Sequence, residues 1–115
     1  MTLRQHQVAF AKDTIKLYQF ILEKGFEFTY GEVLRTPEQQ AIYVKEGKSK
    51  TSLSNHLRKL AVDLAIFKDG AFITTKEILQ EIGDYWESLN PLNRWGGNWT
   101  SILDTPHFER NAERT

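Results

Sequence analysis

The sequence predicts an α+β fold, a small mainly antiparallel sheet with helices packed on it, and three observations carry that expectation. A long amphipathic stretch opens the chain, an Asp-Gly dipeptide joins two apolar runs in its middle, and a second helical stretch follows directly. With 115 residues, 40% hydrophobic and 12% aromatic, the chain is expected to fold as one compact domain over residues 1–115.

From Leu3 to Lys24, one row of residues (Val8, Ala11, Ile15, Tyr18, Leu22) runs beside another (Phe10, Thr14, Leu17, Ile21) at spacings of three and four. That is a wide helical stripe, stopped by Gly25. His6, at the start of the helix, reads as a surface residue. Phe26 to Tyr30 alternates aromatic and polar residues and predicts a strand that continues, with a break at Gly31, through Arg35. Thr36-Pro37-Glu38-Gln39 then supplies an N-cap, a proline at the first helical position and a capping-box partner, for a helix reaching about Glu46 and stopping at Gly47. Arg35 therefore sits at a strand-to-helix junction, from which a side chain can project into a cleft. Gly47 to Ser52 is small, polar and basic, a loop that delivers the chain to Ser54 and His56.

Ala61 to Phe67 is an apolar run of β character, and Asp69-Gly70 joins it to Ala71-Phe72-Ile73 as a hairpin. Along that strand Val62, Leu64 and Ile66 point one way, and Ala61, Asp63, Ala65 and Phe67 the other. Asp63 has alanines beside it on its face, leaving room for something to approach its carboxylate. Thr74-Thr75-Lys76-Glu77 offers a second capping box, and Ile78, Ile82, Tyr85 and Leu89 keep helical spacing up to Asn90-Pro91. The following segment, Leu92 to Trp99, is aromatic and glycine-rich without helical period. Paired glycines between Trp95 and Trp99 imply backbone held close to a pocket or in a tight turn. Past Glu109 the chain is expected to fray.

Charge narrows the function. Fifteen Lys+Arg balance fifteen Asp+Glu, so no net field draws the protein to nucleic acid or to an anionic membrane. There is no cysteine, which removes disulfides, thiolate metal sites and cysteine nucleophiles. No apolar run approaches the ~20 residues of a membrane span, and Met1 to Gln7 lacks an apolar signal core. The expectation is a soluble monomer made in the cytoplasm without a signal peptide.

The residues that carry chemistry are few. Ser54-Asn55-His56 is followed by Asp63 at the start of the apolar strand, and Asp104-Thr105-Pro106-His107 adds a second carboxylate and a second imidazole. Two His and one Asp make a three-ligand zinc site with an open fourth position, leaving one Asp to handle a proton. Pro106 prohibits a regular helix interior, so Asp104 and His107 are expected on an extended or turning segment.

Ser54-x-His56, Ala61-x-Asp63-Leu64, Trp95-Gly96-Gly97-x-Trp99 and Asp104-x-x-His107-Phe108, in this order and spacing, resemble the zinc-dependent peptidoglycan peptidases of the M15 family. That group includes D-alanyl-D-alanine dipeptidases and carboxypeptidases and the L-alanyl-D-glutamate endopeptidases of phage endolysins. The resemblance spans Arg35 to Phe108 and implies a Hedgehog/DD-peptidase-like fold. It implies Zn2+ bound by His56, Asp63 and His107, with Asp104 as general base. It also implies Arg35 beside the scissile carbonyl, where it could stabilise the oxyanion, and Ser54 at the rim where substrate binds. Lys59 departs from the pattern, since many members of the group have glycine three residues after the first histidine.

The function expected from this resemblance is hydrolysis of a peptide bond in the peptidoglycan stem, foremost L-Ala-D-Glu, by a phage or prophage lysis enzyme that meets the cell wall once the membrane is opened. A D-Ala-D-Ala carboxypeptidase or dipeptidase is the alternative within the enzyme class. A non-catalytic, zinc-stabilised cell-wall binding protein is the alternative outside it. Asp104 speaks against the last, because a purely structural metal site has no need of an unligated carboxylate three residues from a ligand.

Overall fold

The computed structural model describes residues 1–32, 36–46 and 55–112. The first helix, α1 (Leu3–Glu23), starts on a capping box: the Thr2 side chain accepts from the Gln5 amide, and the Gln5 side chain accepts from the Thr2 amide. Gly25, at φ +85°, turns the chain out of the helix. The core row of α1 is Phe10, Leu17 and Ile21, whereas Val8, Ile15 and Leu22 are exposed. The stripe is thus narrower than the sequence pattern suggests, because Val8, Ala11, Ile15 and Leu22 face solvent and, of that row, Tyr18 packs on the sheet against Phe28.

The strand β1 (Glu27–Tyr30) ends before Gly31. The expected continuation reaches residues 33–35, which lie outside the described residues. Thr36 caps α2 (Pro37–Lys45), its side chain accepting from the Gln39 amide at 3.1 Å. The long strand β2 (Ala61–Lys68) and β3 (Ala71–Ile73) form the expected hairpin, with Asp69 at φ 51° and Gly70 at φ 80°. Positive φ at both turn residues is what a two-residue turn matched to strand twist requires.

The last helix, α3 (Lys76–Leu89), has Thr75 as N-cap, but no side chain caps it. The second capping box is therefore not formed. Its buried row is Leu79, Ile82, Gly83 and Trp86, with Ile78 on the exposed side. Two short strands follow, β4 (Asn93–Trp95) and β5 (His107–Arg110), neither of which the sequence pattern announces. The end of the chain is not frayed as far as it is described: Arg110 and Ala112 are buried, and the Asn111 amide donates to the Leu92 carbonyl.

The sheet runs β1-β2-β5-β4, with β3 also on β2, and every pairing is antiparallel. Along β2, Ala61 to Asp63 pairs with β5, while Leu64 to Phe67 pairs with β1. On one face Val62, Leu64 and Ile66 join Phe10, Leu17, Ile21, Leu79, Ile82 and Trp86 in the core, closed by Trp95 and Phe108. Full burial of each such side chain contributes about 1.5–3 kcal/mol. The α+β expectation therefore holds, and the other face of β2 is left for Ala61, Asp63 and Ala65.

Candidate active site

Asp63 on β2 stands directly opposite His107 on β5. The two side chains consequently share the sheet face away from α1 and α3. His56 comes from a 3₁₀ turn, Asn55–Arg58, immediately before β2. Lys59 ends that turn in the left-handed region at φ 56°, and the Leu60 amide donates to the Asn55 carbonyl at 3.0 Å. The position where the resemblance expects glycine is thus one that favours glycine, and Lys59 occupies it with some backbone strain.

His56 Nε2 lies 3.3 Å from Asp63 Oδ1, and His107 Nδ1 lies 3.1 Å from the same oxygen. One ligand atom from each of the three residues falls within 4.8 Å of the others. Bonds of 2.0–2.1 Å at tetrahedral angles put ligand atoms about 3.3 Å apart, which the two separations to Asp63 Oδ1 match, so the donor types and their grouping suit a zinc ion. His56 is 1% exposed and His107 5%, which shields the imidazoles and leaves the carboxylates to face solvent.

The electrostatics are those of a coupled site. Burial alone would raise the Asp63 pKa, but hydrogen bonds and charge from His107 and His56 outweigh it and hold the carboxylate well below its usual range. Burial alone would lower the His107 pKa, but hydrogen bonds to Asp63 and Glu109, with their charges, lift it to about 9. Without a metal, then, His107 is an imidazolium held between two carboxylates.

Asp104 stands at the mouth, its side chain 39% exposed and Oδ2 3.9 Å from His107 Nδ1. The turn that carries it is fixed from the tryptophan-glycine segment. The Asp104 amide donates to the Gly96 carbonyl at 3.0 Å, and a Cβ on Gly96 would collide with the Asp104 carbonyl oxygen. Trp95, fully buried, has Gly83 and Gly97 against its indole, where added Cβ atoms would clash with the ring, and its Nε1 donates to the Thr105 carbonyl at 2.8 Å. The paired glycines do hold backbone close to a site, and the indole is the post on which the 104–107 turn hangs.

Of the six site residues expected from sequence, the structure brings together His56, Asp63, Asp104 and His107. Arg35 and Ser54 lie outside the described residues. Three further residues were missed. Glu109 Oε1 sits 2.7 Å from His107 Nε2, Asn55 Nδ2 donates to Glu109 Oε2 at 2.9 Å, and the Trp99 ring packs on the His107 ring with centroids 4.9 Å apart. Glu109 falls on the face of His107 once β5 is known to be a strand, but β5 is too short for the sequence to announce it. Asn55 adjoins His56, but nothing in its type or spacing points to the site.

The chain matches the M15 peptidase family model described as D-alanyl-D-alanine carboxypeptidase over residues 47–110, more than half its length, and it belongs to that family. It is 34% identical over 101 residues to the L-alanyl-D-glutamate peptidase of Listeria phage A118, a match that takes in 84% of this chain and 34% of the phage protein. The chain thus spans about a third of the length of that curated relative. In structure it is similar to the L-Ala D-Glu endopeptidase ChiX of Serratia marcescens, with a TM-score of 0.69 at 24% identity over 93% of this chain and 84% of that one. It is also similar to a mutant of the vancomycin resistance D,D-pentapeptidase VanY in complex with Zn(II), with a TM-score of 0.57 at 20% identity over 90% and 71% of the two chains. At those identities the two structures speak for the fold.

Proposed function

We propose that this chain is a zinc-dependent peptidase that hydrolyses the L-Ala-D-Glu bond of the peptidoglycan stem and serves a phage or prophage in lysis, residues 1–115 forming one catalytic domain. The observation that carries the reading is the approach of His56 and His107 to one oxygen of Asp63, with the carboxylate of Asp104 at the mouth. The identity to the phage L-alanyl-D-glutamate peptidase supports the choice of bond.

His56, Asp63 and His107 would hold the metal, which when bound lowers the pKa of water to about 7 and polarises a carbonyl oxygen. Asp104 takes the proton from the attacking water as its oxygen adds to the carbonyl carbon. When the C–N bond breaks, the same carboxylate returns that proton to the leaving nitrogen. Trp99 walls the His107 side of the site. Arg35 is proposed to stabilise the oxyanion, and Ser54 to meet substrate at the rim.

A second reading, cleavage at D-Ala-D-Ala, is favoured by the description of the matched family model. Mass spectrometry of digested peptidoglycan separates the two. New D-Glu amino termini with free L-Ala carboxyl ends are expected. Release of terminal D-Ala alone would favour the second reading, and intact stems with zinc bound would leave a binding protein.

A further inference from the structure

Glu109 is a carboxylate with only 6% of its side chain exposed, and the proton transfer above makes no use of it. Such a group is costly to bury unless each oxygen is engaged. Both are. Oε1 lies 2.7 Å from His107 Nε2, and Oε2 accepts from Asn55 Nδ2 at 2.9 Å, with Arg94 Nη2 at 3.5 Å on the solvent side. The backbone is pinned as well: Trp86 Nε1, from α3, donates to the Glu109 carbonyl at 3.0 Å. Across the ladder Glu109 faces Ala61, so the room beside Asp63 that the alanines leave is partly the room this carboxylate occupies.

We infer that Glu109 is a positioning residue for the metal centre: its carboxylate accepts the Nε2–H of His107 and the side-chain N–H of Asn55, so that Nδ1 of His107 faces Asp63 and the turn bearing His56 is tied to the same anchor. This rests on the reading of His56, Asp63 and His107 as metal ligands. The ring itself excludes a direct role for Glu109, because Oε1 meets the imidazole at Nε2, the nitrogen opposite the one that faces Asp63. A carboxylate behind a ligating imidazole fixes its tautomer and orientation and raises its basicity. Here one carboxylate does this for one histidine and, through Asn55, sets the backbone next to the other.

The test compares the unsubstituted chain with Glu109→Ala and Glu109→Gln. Zinc affinity is read by competition with a chelating dye, the His107 ring protons by ¹⁵N NMR of the zinc-loaded proteins, and folding by circular dichroism. Glu109→Ala is expected to weaken zinc binding by roughly 10–100-fold and to lose the exchange-protected Nε2–H resonance, with Glu109→Gln restoring part of both. A folded Glu109→Ala chain with unchanged affinity and an unchanged Nε2–H resonance would overturn the inference alone. Should Glu109→Ala not fold, Glu109→Gln decides: an upfield Nε2–H and weaker zinc binding support the role, and no change in either overturns it. Failure of the unsubstituted chain to bind zinc would overturn the metal-centre reading, and this inference with it.

Discussion

His107 Nδ1 and Asp63 Oδ1 meet 3.1 Å apart across the β2–β5 ladder, from residues that are direct cross-strand partners. A ladder fixes the separation and the facing of such a pair more rigidly than a loop can, so two of the three proposed ligands are in place before any ion arrives. Only His56 depends on a turn, and the Leu60 amide bonded to the Asn55 carbonyl and the Asn55–Glu109 bond hold that turn.

The pH dependence of the metal-free protein follows from the same pair. His107 is raised above its ordinary 6.5 to about 9, so its contribution is fully present below about pH 6.5 and is lost as pH rises through about 9. Asp63 and Glu109 are lowered, so theirs is present above their ordinary carboxylate values and lost as pH falls toward the folded ones. Melting temperature without metal is expected to peak between those limits and to decline into the alkaline range. Zinc must displace the Nδ1 proton, so its apparent affinity should rise with pH up to about 9. A melting temperature that climbs steadily from pH 6 to 9 without metal would contradict the assignment.

Metal removal should destabilise. At a free zinc concentration of about 1,000 times Kd, binding adds about 4 kcal/mol to a state that alone can bind it, and a chelator should abolish this and lower the melting temperature. Equal melts with and without chelator would count against the site.

Gly96→Ala places a methyl against the Asp104 carbonyl oxygen and close to the His107 Cβ. Overpacking there is expected to cost roughly 1–3 kcal/mol and to displace Asp104, so that hydrolysis falls further than stability does. Denaturant unfolding and turnover measured on the same sample check this. Full activity in Gly96→Ala would show that the 104–107 turn tolerates movement.

Lys59→Gly relieves the left-handed backbone at φ 56° but adds freedom to the unfolded chain. The two effects, roughly 1–2 and 0.5–1 kcal/mol, leave a small net stabilisation of about 1 kcal/mol or less, with zinc binding unchanged. A destabilised Lys59→Gly would mean that the lysine side chain contributes contacts of its own.

Much of this was legible in the sequence because it is carried by period and turn chemistry. The β2–β3 hairpin follows from Asp69-Gly70, the facing of Asp63 from alternation in an apolar strand, and the α2 start from Thr36-Pro37. What was illegible depends on partners distant in sequence. β4 and β5 are three and four residues long, too short to show a period, and they exist because β2 and each other complete their hydrogen bonds. Which row of α1 is buried is decided by the sheet and not by the helix, so Ile15 and Leu22 looked as apolar as Leu17 and Ile21. The partnership of Asn55 with Glu109 is likewise set by the fold, as is the use of Gly83, on α3, to admit Trp95.

The central claim is a division of labour: His56, Asp63 and His107 hold a metal, and Asp104 moves the proton. The most direct measurement is the zinc content and peptidoglycan turnover of Asp104→Ala beside the unsubstituted chain. One equivalent of zinc in both, with turnover lowered by about 10²–10⁴-fold in Asp104→Ala, is the predicted result. Loss of zinc together with turnover would place Asp104 among the ligands, and unchanged turnover with zinc retained would contradict its role as the base.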